Sequence, residues 1–320
     1  MRNPFTSGLG VALTVFATSA FASCGSAFCT LMTDRFAQGT GDAHLGWSAD
    51  LRLESVSQTQ LRSGTHNIDP SQVTGEDAIE RRTTNRSLVT TLGYGLDADW
   101  SLSLRVPIVR RDHEHDLIDD ATGLPSTPQR WRFTKLGDVQ LLARRQFLSD
   151  DVTTAFALFG GLKLPTGSTR VTNSDGVRAE RALQPGTGTT DAVIGIAARH
   201  ALGGTDAALA QVSVSAALDR HEEFRPGARF EGSVGWSHAF SANWGTVLQV
   251  NAQHRASDGG AQAEPSNSGS TTVSLSPGVT VGLGNSSTIY AYVQVPVYQK
   301  VKGIQLAPRS SFAVGWTADF

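Results

Sequence analysis

The chain has 320 residues, of which 39% are hydrophobic, and a formal net charge of −2. With 27 basic against 29 acidic side chains and no Lys/Arg run, it has no electrostatic footprint for nucleic acid. It carries no nucleotide-binding glycine loop, zinc-finger spacing or fixed-period repeat, and beyond its N-terminus no apolar run long enough for a transmembrane helix.

Residues 1–22 read as a secretory signal peptide. Arg2 supplies the positive charge, Leu9 to Phe21 is apolar but too short to span a bilayer, and Ala20-Phe21-Ala22 is an A-x-A cleavage site. Residues 23–43 form a short segment, either periplasmic or a plug, and hold the two cysteines. In an oxidising compartment Cys24 and Cys29 most simply close a small disulfide loop. Lipidation of Cys24 is the rival reading, weakened by Phe21 where an aliphatic residue usually stands. Two thiolates alone make a poor metal site.

From residue 44 to 320, period-two segments recur. They fall at about 44–58, 86–96, 99–111, 134–147, 153–164, 190–202, 206–219, 228–240, 243–254, 270–283 and 287–299, and in the final nine residues. The third aligns Trp100, Leu102, Leu104, Val106 and Ile108 against Ser101, Ser103 and Arg105. The eleventh opposes Ile289, Ala291, Val293, Val295 and Val297 to Tyr290, Tyr292, Gln294 and Tyr298. In the last, Phe312, Val314, Trp316, Ala318 and Phe320 share a face, and the chain stops on that aromatic.

Twelve strands result, an even number, as single-chain bacterial barrels require. Short turns alternate with long polar loops near 60–85, 112–131, 165–189, 220–227, 255–269 and 300–308. This is the pattern of short periplasmic turns and longer extracellular loops, with both termini in the periplasm. Trp47, Trp100, Trp236, Trp244 and Trp316 all fall near the periplasmic rim, with Trp131 opposite, as an interfacial aromatic girdle requires. The expected fold is therefore all-β: a transmembrane antiparallel up-and-down barrel in the bacterial outer membrane.

Three loop-flanking motifs stand out: Lys135-Leu-Gly-Asp-Val139, Gly161-Leu-Lys-Leu-Pro-Thr-Gly167 and Leu183-Gln-Pro-Gly-Thr-Gly-Thr-Thr-Asp191. By local physics they are shape motifs. Pro165 ends a ladder because it cannot donate a backbone hydrogen bond, and Gly186 and Gly188 permit sharp re-entry into a strand. The run over roughly 85–320 resembles the outer-membrane channel family named after the meta-pathway of phenol degradation. The resemblance implies a barrel with a channel role and, by the family's name, uptake of small aromatic compounds.

Twelve strands enclose a narrow lumen. The inward set comprises Arg105, Gln140, Arg144, Lys163, Glu231, Gln249, Asn251, Gln253, Tyr292 and Gln294, a polar mixture suited to water and small solutes. A filled, non-conducting interior would use the same residues. Arg110-Arg-Asp-His-Glu-His-Asp116 places His113 and His115 two apart, so that an extended segment points them the same way. They are candidate zinc or copper ligands; a solvated extracellular loop, or lipopolysaccharide contact through the arginines, is the plainer reading. Outer-membrane lipid enzymes also use barrels of this size, but Ser237 and His238 are adjacent and fall on opposite faces, so they make no nucleophile–base pair.

The expected function is passive passage of a small solute, aromatic or hydrophobic among the candidates, without enzymatic activity or cofactor. A structural or metal-binding barrel is the alternative. The expected partners are membrane lipid, lipopolysaccharide, the solute and the barrel assembly machinery, which would recognise the strand ending in Phe320.

Overall fold

Alternation of apolar and polar side chains commits these segments to one membrane-facing and one interior face, and it organises the entire computed structural model. The model describes residues 45–320 apart from 74, 75, 120, 124 and 285. The expected signal segment 1–22, the segment 23–43 and with it Cys24 and Cys29 lie outside the described residues. Fourteen strands run in order: β1 (Gly46–Ser63), β2 (His66–Asn67), β3 (Ala78–Gly95), β4 (Trp100–Ile118), β5 (Pro125–Leu136), β6 (Val139–Leu148), β7 (Thr154–Leu164), β8 (Asp191–Gly203), β9 (Asp206–Ala217), β10 (Arg229–Ala239), β11 (Trp244–Arg255), β12 (Ser270–Gly282), β13 (Ser287–Val301) and β14 (Ile304–Asp319).

Sequence neighbours pair antiparallel around the sheet, and β1 pairs with β14, with Leu51 opposite Trp316, so the sheet closes and leaves no edge along the staves. β5 and β6 are two halves of one stave. β4 pairs with β6 over Trp100–Arg105 and with β5 over Ile108–Ile118, and the stave breaks at Gly137 and Asp138. Since β2 is a two-residue adjunct to β1, the barrel has twelve staves.

Outward positions form alternating, mostly apolar columns, as from Trp100 to Ile108 on β4 and from Leu88 to Tyr94 on β3, where Thr90 is the polar member. Eight residue steps make about 26 Å along a strand, or about 20 Å along the normal at the usual tilt, which matches a hydrocarbon core. Trp47, Trp100, Trp236 and Trp244 are exposed on this outer wall beside the short turns, whereas Trp131 is buried near the loop-bearing rim.

Three expectations need correction. The stretch 112–131 is not a long loop: β4 and β5 continue as a hairpin beyond the apolar band, paired from Ile108–Leu136 to Ile118–Pro125. Its alternation sets charge outside against His113 and Trp131 inside, so a search for apolar columns misses it. Likewise 300–308 is a tight turn at Lys302 and Gly303, flanked by strand. Finally, a bulge in the β12–β13 ladder between Val273 and Ser274 shifts the alternation on β13, so Tyr298 is exposed at 45% while Gln299 turns inward.

Candidate functional site

The three motifs meet at the broken stave. Lys163 Nζ lies 3.1 Å from Asp138 Oδ2 and 3.1 Å from Asp191 Oδ2, all three side chains being largely buried. Asp138 also accepts the Gly167 amide at 3.0 Å, and the Thr187 amide and hydroxyl at 2.9 Å each. Thr166 donates to Gly137 O and accepts the Val139 amide, both at 2.9 Å. A Cβ on Gly186 would come within 2.5 Å of Gly167 O, so this glycine serves close backbone approach. Gly188 has φ +73° and takes the ring of His221 against it. Sequence alone reads these as shape motifs; the acids at 138 and 191 on either side of Lys163 are the signal that they also carry an ion-pair network.

This knot turns the segment 165–190 back into the barrel. Leu183 and Ala179 are buried against Trp131, whose Nε1 donates to Val177 O at 2.9 Å. From the neighbouring strand β4, Arg111 donates to Leu183 O at 2.5 Å and to Asn85 Oδ1 at 2.6 Å. Asn85 donates to Gln58 at 3.3 Å, and Gln58 to Leu306 O at 3.2 Å, so a chain of polar groups crosses four staves. On the outer side Glu222 gathers Arg170 at 2.6 Å, Arg178, and Arg181 at 3.5 Å, tying the segment to the loop after β9. Arg178 and Arg170 hold the Glu222 carboxyl down at about 2. Glu180 has no donor on either oxygen among the described residues. Burial drives its carboxyl well above the usual range, with Glu80 and Glu264 pushing the same way.

Of the candidate metal ligands, His113 and His115 are buried in the interior face of β4. Their rings approach at Nε2 to Nδ1, 3.4 Å, while Thr83 Oγ1 meets His113 at 2.8 Å and Gln129 meets His115 at 3.3 Å. Among the described residues no group of three His, Cys, Asp or Glu is placed to hold a metal ion.

A cavity partly open to solvent is lined by β1 and by the β10–β14 wall. Gln58, Asn251, Gln253, Gln294, Gln299 and Gln305 contribute amides, Arg229 and Arg255 the charges, and Leu306, Pro296 and Pro308 an apolar wall; no carboxylate among the described residues lines it. Arg255 is held at 2.6 and 2.8 Å by Asp258. Below lies a floor of Tyr290, Tyr292, Leu209, Val247, Ala313 and Val56, and Val56 borders the cavity as well. Three residues of the inward set, Asn251, Gln253 and Gln294, border the cavity, while Gln249 and Tyr292 are buried beneath it. Glu231 is bonded by Gln253 at 3.0 Å. Lys163 is in the motif knot, and in the β4–β6 ladder Arg105 pairs with Gln140 and Ser101 with Arg144. Ser237 is buried inward, whereas His238 faces out and meets Asp206 at 3.1 Å, so the two do not cooperate.

A closed twelve-stave barrel with an apolar belt, a polar interior and a segment folded into its lumen defines a transmembrane β-barrel of the outer-membrane type. The family model described as "Putative MetA-pathway of phenol degradation" matches residues 59–303, well over half of the chain, and the protein belongs to that family. The fold is similar to the crystal structure of an outer membrane channel from Pseudomonas putida F1, at 11% identity and a TM-score of 0.62, covering 88% of this chain and 98% of that one. A deletion mutant of the monoaromatic hydrocarbon channel TodX aligns at 10% identity and a TM-score of 0.49 over 95% of this chain and 96% of that one. No protein of curated description matches the sequence.

Proposed function

We propose that this protein is an outer-membrane channel that passes a small solute down its gradient, with both chain ends in the periplasm. The cavity on the β1 and β10–β14 wall carries the reading: it opens to solvent and joins an apolar wall to fixed hydrogen-bonding groups. Amides, hydroxyls and two arginines, with no carboxylate among them, suit a solute that has an apolar body and acceptor groups, an aromatic compound being the class the family's description favours. Segments 64–77 and 165–190 control access. The same reading includes leader removal after Ala22, a Cys24–Cys29 disulfide, and delivery to the membrane by an assembly machinery that recognises the strand ending in Phe320.

The test is reconstitution. Folded protein, identified by migration that changes on boiling, gives step currents in planar bilayers and admits a phenol-sized solute into liposomes. Folded protein that gives neither current nor flux sinks the channel and leaves a structural barrel.

A further inference from the structure

Arg86 and Arg110 face each other across β3 and β4 on the outer wall of the barrel. Both are exposed, and neither has a hydrogen-bond or ion-pair partner among the described residues. They stand one outward position beyond Leu88 and Ile108, where the apolar columns of these staves end. Further out, Arg130 and Arg132 share Asp112 at 2.6 and 2.8 Å, and Arg82 approaches Glu114 at 3.5 Å. Five arginines therefore meet two carboxylates on one patch. Like charges directly opposite on a ladder cost stability unless an anion lies between them. At this height, at the edge of the hydrocarbon belt, the anion within reach is a lipid headgroup.

We propose that Arg86 and Arg110, flanked by Arg132, form a binding site for the phosphate of a phosphorylated glycolipid in the outer leaflet. Guanidinium forks match phosphate oxygens two at a time, and three exposed forks on three adjacent strands suit a headgroup bearing more than one phosphate. The site rests on the orientation proposed above, which puts the loop-bearing rim outside the cell, and does not depend on solute passage.

Native mass spectrometry of the full barrel with bisphosphorylated lipid A, its dephosphorylated form and phosphatidylglycerol tests it. Bisphosphorylated lipid A is expected to be retained best. The double variant Arg86→Gln, Arg110→Gln is expected to bind it about tenfold more weakly or worse. Arg110→Glu, which gives Arg86 a partner, is expected to fold and to lose the lipid as well. Arg145→Gln, on the outer wall at the other rim beside Trp100 and Phe147, leaves binding unchanged. Equal retention of the dephosphorylated lipid, or undiminished binding by the folded double variant, overturns the site. Preference for phosphatidylglycerol overturns the glycolipid assignment. Bilayer currents are measured separately, so a failure here is distinct from a failure of the channel.

Discussion

At the scale of single residues, Asp138 is the most exacting position. Its carboxylate serves Lys163, two backbone amides and a hydroxyl, and so links both halves of the broken stave to the segment that turns back into the lumen. In Asp138→Ala the amides of Gly167 and Thr187 lose their acceptor inside the wall, and Lys163 keeps Asp191 alone. Stranding a buried charge completely costs about 3–5 kcal/mol. Because Lys163 keeps one partner, the expected loss is about 2–3 kcal/mol, mostly from the orphaned donors. Urea midpoints for refolding into lipid vesicles measure it, and Asp138→Asn falls between. A midpoint as high as the parent's would show that the knot does not bear on stability. The aspartate was visible in the sequence, but its role was not. Residues 138, 163, 167, 187 and 191 are separated by up to 53 positions, counted as 191 − 138, and no local pattern reports that a chain returns to its starting point.

At the scale of elements, the staves were legible and the loop-bearing rim was not. Apolar columns are forced wherever a strand faces lipid, and the sequence shows them from Trp100 to Ile108 as plainly as the structure does. Beyond the belt the outward residues are Arg110, Asp112 and Glu114, lipid no longer constrains the pattern, and the strand continues unseen to Ile118. The same rim holds a group of carboxylates contributed by three segments. Burial lifts Glu264 to about 8, with Glu80, Glu76 and Asp77 adding repulsion. Between the ordinary value of 4.5 and about 8, the folded state keeps a proton that the unfolded state has lost, so stability falls as pH rises through that window. Glu180, raised as well, adds a slope of the same sign. Protection factors for amides in 256–269, corrected for the base-catalysed rise in intrinsic exchange, should therefore fall from pH 5 to pH 8, and Glu264→Gln should flatten the change. An unaltered pH slope in the variant would exclude the carboxylate as its source.

At the scale of the whole molecule, the barrel is narrowed from within by aromatic rings laid over glycines. Tyr290 stands opposite Gly315 and Tyr292 opposite Gly278, and a Cβ on either glycine would come within 2.3 Å of the facing ring. Phe159 covers Gly195 in the same way. Rings over glycine restore packing where a strand has no side chain of its own, and they draw each tyrosine flat against the wall. With Leu209, Val247, Val56 and Ala313, the two tyrosines make the floor under the cavity, and Tyr290 is fixed by a 2.6 Å bond to Asp50. A solute leaving the cavity towards the short turns must pass this floor. Tyr292→Ala removes a ring from the floor while leaving the Tyr290–Asp50 bond in place. Truncating a buried aromatic costs about 3–5 kcal/mol, which a barrel closed by the β1–β14 ladder is expected to survive. The unitary current of the variant should rise, and solute flux with it, while selectivity set by the arginines above stays as it was. Tyr290→Phe, which keeps the ring and loses only the hydroxyl, should leave the current near the parent's. If Tyr292→Ala folds and conducts no better than the parent, the path does not run past the tyrosines, and the barrel wall beside the cavity becomes the place to look for the exit.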